Sequence, residues 1–170
     1  MDAQIDSLSG INPAMCPKLA VAANAMAAPV SSITLPEPGR IHAWYIEPEA
    51  ARHLLETHPG QILGVVCHGI DAPFVPAQIP VARVEMPQLG SQPLLEIWAV
   101  GDHARSGRSG NIHWARTADF LFGCYRQPPH ESLESVTYQA YQEVFSLLQS
   151  EAVPNLLRVW NYFAAINADE

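Results

Sequence analysis

SLESVTYQAYQEVFSLLQSE, residues 132–151, gives the clearest indication of the fold class. Its apolar side chains recur at helical spacing and fall on one broad face, while glutamine, glutamate and serine fill the other face. Pro154 stops the helix, and NLLRVWNYF (residues 155–163) has the composition of a strand. Because so wide a stripe has to be buried, the pattern predicts a helix lying on a sheet. The residues predicted to make this contact are Val136, Ala140, Val144, Phe145 and Leu148.

Short apolar runs upstream of this helix predict the strands of the sheet. QILGVVCH (residues 61–68) is almost continuously apolar, which is typical of a central strand covered on both faces. IHAWYI (residues 41–46) predicts a strand that runs into a short helix with Pro48 in its first turn. Further strands are predicted at residues 79–85, 93–100, 110–115 and 120–126. GDHARSGRSG (residues 101–110) is predicted to be a mobile polar loop.

These elements predict one α+β domain, a two-layer mixed sheet with helices packed on one face. A chain of 170 residues is long enough for one sizeable core. Residues 1–40 are rich in proline and lack sustained periodicity, so they predict an irregular N-terminal arm. The domain itself is expected to span residues 41–170.

Charge and cysteine usage exclude several classes of function. With 17 acidic and 9 basic residues the formal charge is -8, which repels phosphate backbones and anionic lipids, so neither nucleic acid nor a membrane surface is an expected partner. Cys16, Cys67 and Cys124 show no CxxC spacing, and the 7 histidines form no ligand pair, so no metal site is predicted. The thiols are expected to be reduced, which favours a cytoplasmic location.

Three groups of residues are candidates for chemistry. Arg105 and Arg108 in the glycine-rich loop predict an anion-binding site, although an ordinary hairpin connection explains them as well. Glu96 could act as a general acid or base if it faced a pocket, and a solvated strand face explains it equally well. Alternation places Arg158, Trp160 and Tyr162 on one face of the last predicted strand. A polar and aromatic face of this kind indicates a covered interface or a pocket wall.

LLRVWNY (residues 156–162), followed by Ile166 and Asn167, resembles the arginine-x-tryptophan-asparagine-tyrosine signature of the chorismatase family. The strand at residues 120–123, the turn before it and the helix after it follow in the same order as in that family. The resemblance covers about residues 40–167 and implies a RidA/YjgF-like (chorismate-mutase-like) architecture. The site residues that it implies, at a substrate pocket or a domain interface, are Arg158, Trp160, Asn161, Tyr162 and Asn167.

The resemblance also implies a function. Chorismatases hydrolyse the enolpyruvyl ether of chorismate to pyruvate and either a hydroxybenzoate or a dihydroxycyclohexadiene carboxylate, in secondary metabolism and without a cofactor. Each has two related domains, and the C-terminal one supplies most of the catalytic groups. This chain is therefore expected to be an N-terminal chorismatase domain that acts as a non-catalytic partner or remnant.

Three alternatives stay open at this point. One is a small RidA-like hydrolase with a carboxylate site between subunits, another is a structural interaction module, and the third is an inactive gene fragment. The expected partners are further copies of the chain in a homotrimer or a separate catalytic chain. Chorismate is the expected small anionic substrate if the chain is active.

Overall fold

The computed structural model describes residues 33–85, 93–126 and 132–162. This part of the chain contains seven strands, two α-helices and a short 3₁₀ turn, Pro59–Gln61. The helices are α1 (Pro48–Thr57) and α2 (Leu133–Ser150). The strands are β1 (Ile41–Ile46), β2 (Ile62–His68), β3 (Val81–Val84), β4 (Leu95–Val100), β5 (Arg105–Ser109), β6 (Ile112–Arg116) and β7 (Leu121–Tyr125).

The strands form two sheets. The first has the order β1-β4-β2-β3, in which β2 and β3 are parallel and the other neighbours are antiparallel. The second is an antiparallel sheet of order β5-β6-β7. The two central strands of the first sheet, β2 and β4, are buried along almost their whole length. Because these strands are apolar on both faces, the first sheet needs cover on both sides.

Helix α1 covers one face of the first sheet. Pro48 starts the helix at a position where its missing N–H costs no hydrogen bond. Leu54 and Leu55 then pack against Val65 of β2 and Ile97 of β4. The prediction of a short helix that follows the first strand is confirmed.

The second sheet covers the opposite face, and α2 covers the second sheet in turn. Phe122 of β7 packs with Trp98 of β4 between the sheets. Leu147 of α2 packs on Trp114 of β6, on the far side of the second sheet. The layers therefore run α1, first sheet, second sheet, α2. The mixed α+β class is confirmed, but the expected arrangement of helices on one face of one sheet is corrected, because a second sheet takes the place of a helical layer.

The contact face of α2 is narrower than its apolar stripe. Val136 and Leu147 are buried, whereas Phe145 is 56% exposed. The predicted burial of Phe145 is wrong, because the helix lies on a sheet of only three strands among the described residues. The rest of the stripe faces outward or lies at the edge of the contact.

Two further expectations are corrected. Residues 105–109, predicted to be a mobile loop, form the edge strand β5, which pairs with β6. Residues 155–162, predicted to be a strand, form neither helix nor strand, and every one of them is exposed. No described strand pairs with them. Residues 33–40 contain no strand, and the remainder of the predicted arm lies outside the described residues.

Neither helix in the described ranges is long and apolar enough to cross a membrane.

Candidate functional site

A buried carboxylate lies on the face of the first sheet that the second sheet covers. Glu96 of β4 is 8% exposed. Its Oε1 accepts a hydrogen bond of 2.8 Å from Nε1 of Trp98, and its Oε2 lies 3.3 Å from Nε2 of His68. Tyr45 is the register partner of Glu96 on β1, and its hydroxyl also bonds to this carboxylate. Three neighbouring strands thus bring four polar groups together.

Strand alternation places this carboxylate on the face of the first sheet that meets the second sheet. Leu95 and Ile97 face α1, so Glu96 faces the second sheet. Gly64 of β2 lets that sheet come close, because a Cβ added at this position would lie 2.2 Å from the ring of Phe122. Phe122 packs there beside Trp98, and the carboxylate of Glu96 makes its hydrogen bonds inside the protein, with Trp98, His68 and Tyr45.

The signature segment lies over this cluster. Trp160 meets Trp98 edge to face with 5.7 Å between ring centroids, and Tyr162 meets His68 at 6.4 Å. The guanidinium of Arg158 lies 5.3 Å from the centroid of the Trp160 ring, within the range of a cation–π contact. Trp160 and Tyr162 nevertheless stay 44% and 46% exposed. The segment covers Glu96 on one side and presents aromatic surface on the other.

The remaining signature residues have different positions. The side-chain amide of Asn161 donates to the hydroxyl of Tyr141, at 3.2 Å, and so ties the segment to α2. Asn167 lies outside the described residues. The structure therefore brings Arg158, Trp160 and Tyr162 together with the Glu96 cluster, and Asn161 anchors them.

Burial and the Glu96 carboxylate keep two phenols protonated. Burial, the largest cause, raises the pKa of Tyr45, and the charge of Glu96 and its hydrogen bond raise it further. Burial also raises the pKa of Tyr162, and the charge of Glu96 adds to this effect. Both hydroxyls can therefore donate hydrogen bonds at neutral pH. Tyr45 and His68 were not predicted to be site residues. For Tyr45, the alternation of side chains along the first predicted strand was an available signal.

The candidate anion-binding arginines do not converge. Arg105 and Arg108 are three positions apart on β5 and so lie on opposite faces of the strand. Arg105 lies 5.1 Å from the centroid of the Trp114 ring and pairs with Glu151. Arg108 instead lies beside its register partner His113, whose pKa is lowered by burial and then by the charge of Arg108.

The described cysteines are poorly suited to nucleophilic chemistry. Burial raises the pKa of Cys124 to about 12 and also raises the pKa of Cys67. Both side chains remain thiols at neutral pH, and the thiolate is the reactive form. Among the residues that the structure describes, no group of three His, Cys, Asp or Glu side chains could hold a metal ion.

Comparison with known proteins points to one family. Residues 96–170 match the family model "Chorismatase FkbO/Hyg5-like, N-terminal". A chorismatase of Streptomyces rapamycinicus is 31% identical over 108 residues, which cover 62% of this chain and 32% of the relative. A chorismatase of Streptomyces hygroscopicus is 32% identical over 109 residues, covering 62% and 31%. A 3-hydroxybenzoate synthase of the same species is 27% identical over 110 residues, covering 64% and 32%.

The fold is similar to that of a solved chorismatase. A crystal structure of a chorismatase aligns with a TM-score of 0.52 and 24% identity, over 70% of this chain and 35% of that chain. This likeness concerns the fold alone. The chain spans about a third of the length of the curated relatives that it matches.

Proposed function

We propose that this chain is a docking domain of a chorismate-processing system in secondary metabolism. The proposal starts from the match of residues 96–170 to the N-terminal domain of chorismatases. A catalytic domain, on the same polypeptide or on a separate chain, docks against the signature segment. The domain by itself does not hydrolyse chorismate. The observation that carries the proposal is the exposed aromatic surface of Trp160 and Tyr162 above the buried Glu96 cluster.

The composition of the segment supports docking. Its large apolar side chains are exposed one after another, which is unusual for residues that make no contact with a partner. Tryptophan, tyrosine and arginine are also the residues that contribute most at protein interfaces. The exposed members are Leu156, Leu157, Val159, Trp160 and Tyr162.

The hydrogen bonding of Glu96 supports a structural role for the cluster. Its carboxylate already accepts from Trp98 and lies beside His68 and Tyr45. A buried polar network with satisfied members fixes the positions of its side chains. We infer that the network holds Trp98 as a rigid base on which Trp160 packs.

A second candidate is a small hydrolase whose carboxylate site forms between subunits in a ring of RidA/YjgF type. It is favoured by the placement of Tyr45 and Tyr162, two protonated donors, beside Glu96, with Arg158 near the same edge. Donors and a cation in this arrangement suit the binding of a carboxylate, and a glutamate can transfer a proton. Under this candidate the assembled protein, a homotrimer, releases pyruvate from chorismate.

The proposed system works in the cytoplasm. Cys67 and Cys124 are free thiols, as expected where reductants keep cysteines unpaired. In both candidates a small anionic substrate, chorismate, is the ligand of the complete site, and no cofactor is required.

Sedimentation equilibrium tests the docking surface. The chain has a mass of 18.6 kDa, and we expect it to assemble with itself or with a separately expressed C-terminal domain of a chorismatase relative. Trp160→Glu should abolish this assembly, because it puts a charge at the centre of the apolar surface. Leu133→Glu, at an exposed apolar position in the first turn of α2, is the matched control. Two results would contradict the proposal. The chain could remain a monomer both alone and with the added domain, or Trp160→Glu could leave the assembly intact.

A further inference from the structure

The signature segment, residues 156–162, is attached to the domain through its side chains. Among residues 33–85, 93–126 and 132–162, no backbone group of the segment forms a hydrogen bond with another backbone group. The attaching contacts are made by Trp160, Asn161 and Tyr162. Such contacts depend on the shape and polarity of the two surfaces and not on which copy of the chain supplies them. The segment of a second copy can therefore make the same contacts.

The chain is fixed just before the segment, at the end of α2. The carboxylate of Glu151 pairs with Arg105, and the backbone carbonyl of Glu151 accepts a hydrogen bond from Arg116. From Glu151 to Trp160 a fully extended chain spans about 30 Å, which is about the diameter of a small domain. The segment is therefore long enough to reach a neighbouring copy while α2 stays in place.

The hinge between α2 and the segment is strained. Ala152 has a φ of 54°, in the left-handed region that disfavours a residue with a Cβ. Opening of the hinge lets Ala152 leave this region. It also breaks the backbone hydrogen bonds of Ala152 and Val153 to the last turn of α2, but Ala152 is exposed, so water can replace them. Short hinges under strain favour exchange of the element that follows them.

Uncovered apolar side chains of the segment lie next to this hinge. Leu156, Leu157 and Val159 are all exposed. When two copies exchange a segment about a two-fold axis, the two hinges pass each other near that axis, and the same residues of both copies meet. The three side chains are then buried against their counterparts, which removes apolar surface from water. Their position beside the hinge favours a second copy as the occupant of this surface.

We propose that two copies of this chain exchange their signature segments. Trp160 of each copy packs on Trp98 of the other, so that each Glu96 cluster is covered by the segment of the other copy. The contacts at the cluster are the same as in a single chain. Relief of strain at Ala152 and burial of the apolar residues beside the hinge favour the dimer, against the entropic cost of association. The inference does not rest on the proposed docking function.

Isotope-filtered NMR of the full chain tests the exchange. Equal amounts of ¹³C-labelled and unlabelled chain are unfolded together in urea and refolded at high protein concentration. Sedimentation equilibrium should show a species of twice the chain mass of 18.6 kDa. In this species we expect nuclear Overhauser effects between the indole protons of Trp160 on labelled chains and those of Trp98 on unlabelled chains.

Two results overturn the proposal. One is a monomer at every concentration up to about 1 mM. The other is a dimer in which the nuclear Overhauser effects between Trp160 and Trp98 arise only within one chain. Neither result removes the docking function, because that function is measured separately, as binding of a C-terminal chorismatase domain.

A glycine at the hinge should weaken the dimer. Glycine adopts a positive φ without strain, so Ala152→Gly removes the advantage of opening at both hinges of the dimer. Its dissociation constant, measured by sedimentation equilibrium, should rise at least about tenfold. Ala118→Gly, at an exposed turn position elsewhere, is the matched control and should leave the dissociation constant unchanged. Equal dissociation constants for the two variants contradict the role of the hinge and with it the exchange.

A leucine beside the hinge provides a second test. Leu157→Ala should raise the dissociation constant at least about tenfold, because this side chain is buried in both copies of the dimer. Leu133→Ala, at a similarly exposed position in the first turn of α2, should leave it unchanged. Equal values for these two variants also contradict the exchange. If a variant does not fold, the labelled and unlabelled parent chains decide.

Discussion

Trp98 donates its indole N–H to the carboxylate of Glu96 at 2.8 Å, between two residues on the same face of one strand. The second sheet covers this face, so that both side chains are buried. Trp160 then packs on Trp98 from outside. The pair therefore connects the interior of the first sheet with the signature segment.

Replacement of Glu96 tests this connection. Glu96→Leu should lower the free energy of unfolding by about 1–3 kcal/mol, because the N–H of Trp98 is left buried without an acceptor. Glu96→Gln retains an acceptor oxygen and should lower the free energy of unfolding by less than Glu96→Leu does. Urea unfolding followed by tryptophan fluorescence measures both values. A Leu variant that is as stable as the Gln variant would show that the hydrogen bond contributes nothing.

High pH should destabilise the fold partly through Tyr45. Its pKa is raised in the folded state, mainly by burial and then by Glu96, whereas in the unfolded chain it returns to about 10. The folded state therefore retains a proton that the unfolded state loses. The contribution of Tyr45 to stability is complete below about pH 10 and is lost as the pH rises through its folded pKa.

The measurement is the urea midpoint as a function of pH, from about pH 8 to above pH 10. The urea midpoint of Tyr45→Phe should decline less steeply than that of the parent at the alkaline end. Glu96→Gln should lower the folded pKa of Tyr45 without restoring the ordinary value, because burial remains. Parallel curves for the parent and Tyr45→Phe would refute this assignment.

Two neighbouring positions of α2 should differ in their effect on stability. Leu147 is 3% exposed and packs with Trp114, so Leu147→Ala should cost about 2–4 kcal/mol. Phe145 is 56% exposed, and Phe145→Ala should change stability by less than about 0.5–1 kcal/mol. Thermal and urea unfolding of the two variants compare them directly. A larger loss of stability from Phe145→Ala than from Leu147→Ala would support the contact between Phe145 and the sheet that was predicted from the sequence.

A glycine in place of Ala152 should stabilise the C-terminal end of α2. Ala152 has a φ of 54°, in the left-handed region that disfavours residues with a Cβ. Its amide and that of Val153 close the helix on Gln149 and Leu148. Ala152→Gly should raise stability by about 1 kcal/mol, whereas Ala140→Gly inside the helix should lower it by a similar amount. A loss of stability in Ala152→Gly is the contrary result.

The strands of the first sheet could be predicted because their residues carry the information locally. The run at residues 61–68 is apolar at both odd and even positions, and β2 is indeed covered on both faces. Pro48 and the β-formers before it defined the junction of β1 and α1. Strand β5 was missed because RSGRS is polar, and an edge strand with one solvent face tolerates that composition. Its contact, Gly107 against the ring of Trp114, is not visible in sequence.

The site was predicted only in part, because its assembly depends on contacts between distant segments. The signature motif identified Arg158, Trp160 and Tyr162 directly. Alternation in residues 155–163 predicted a strand, but a strand needs a hydrogen-bonded neighbour, and none of the described strands supplies one. Glu96 lies on the face of β4 that meets the second sheet, and periodicity alone cannot say which face of a strand will be covered.

Release of pyruvate from chorismate, measured with the purified chain, tests the docking function. Pyruvate is followed continuously through its reduction by lactate dehydrogenase and NADH, with chorismate alone as the blank. We expect no saturable release by this chain alone and saturable release once a C-terminal chorismatase domain is added. Trp160→Glu should prevent docking and abolish that release. Saturable release by the chain alone, abolished by Tyr162→Phe or Arg158→Ala, would contradict the docking function and favour a hydrolase with its own site.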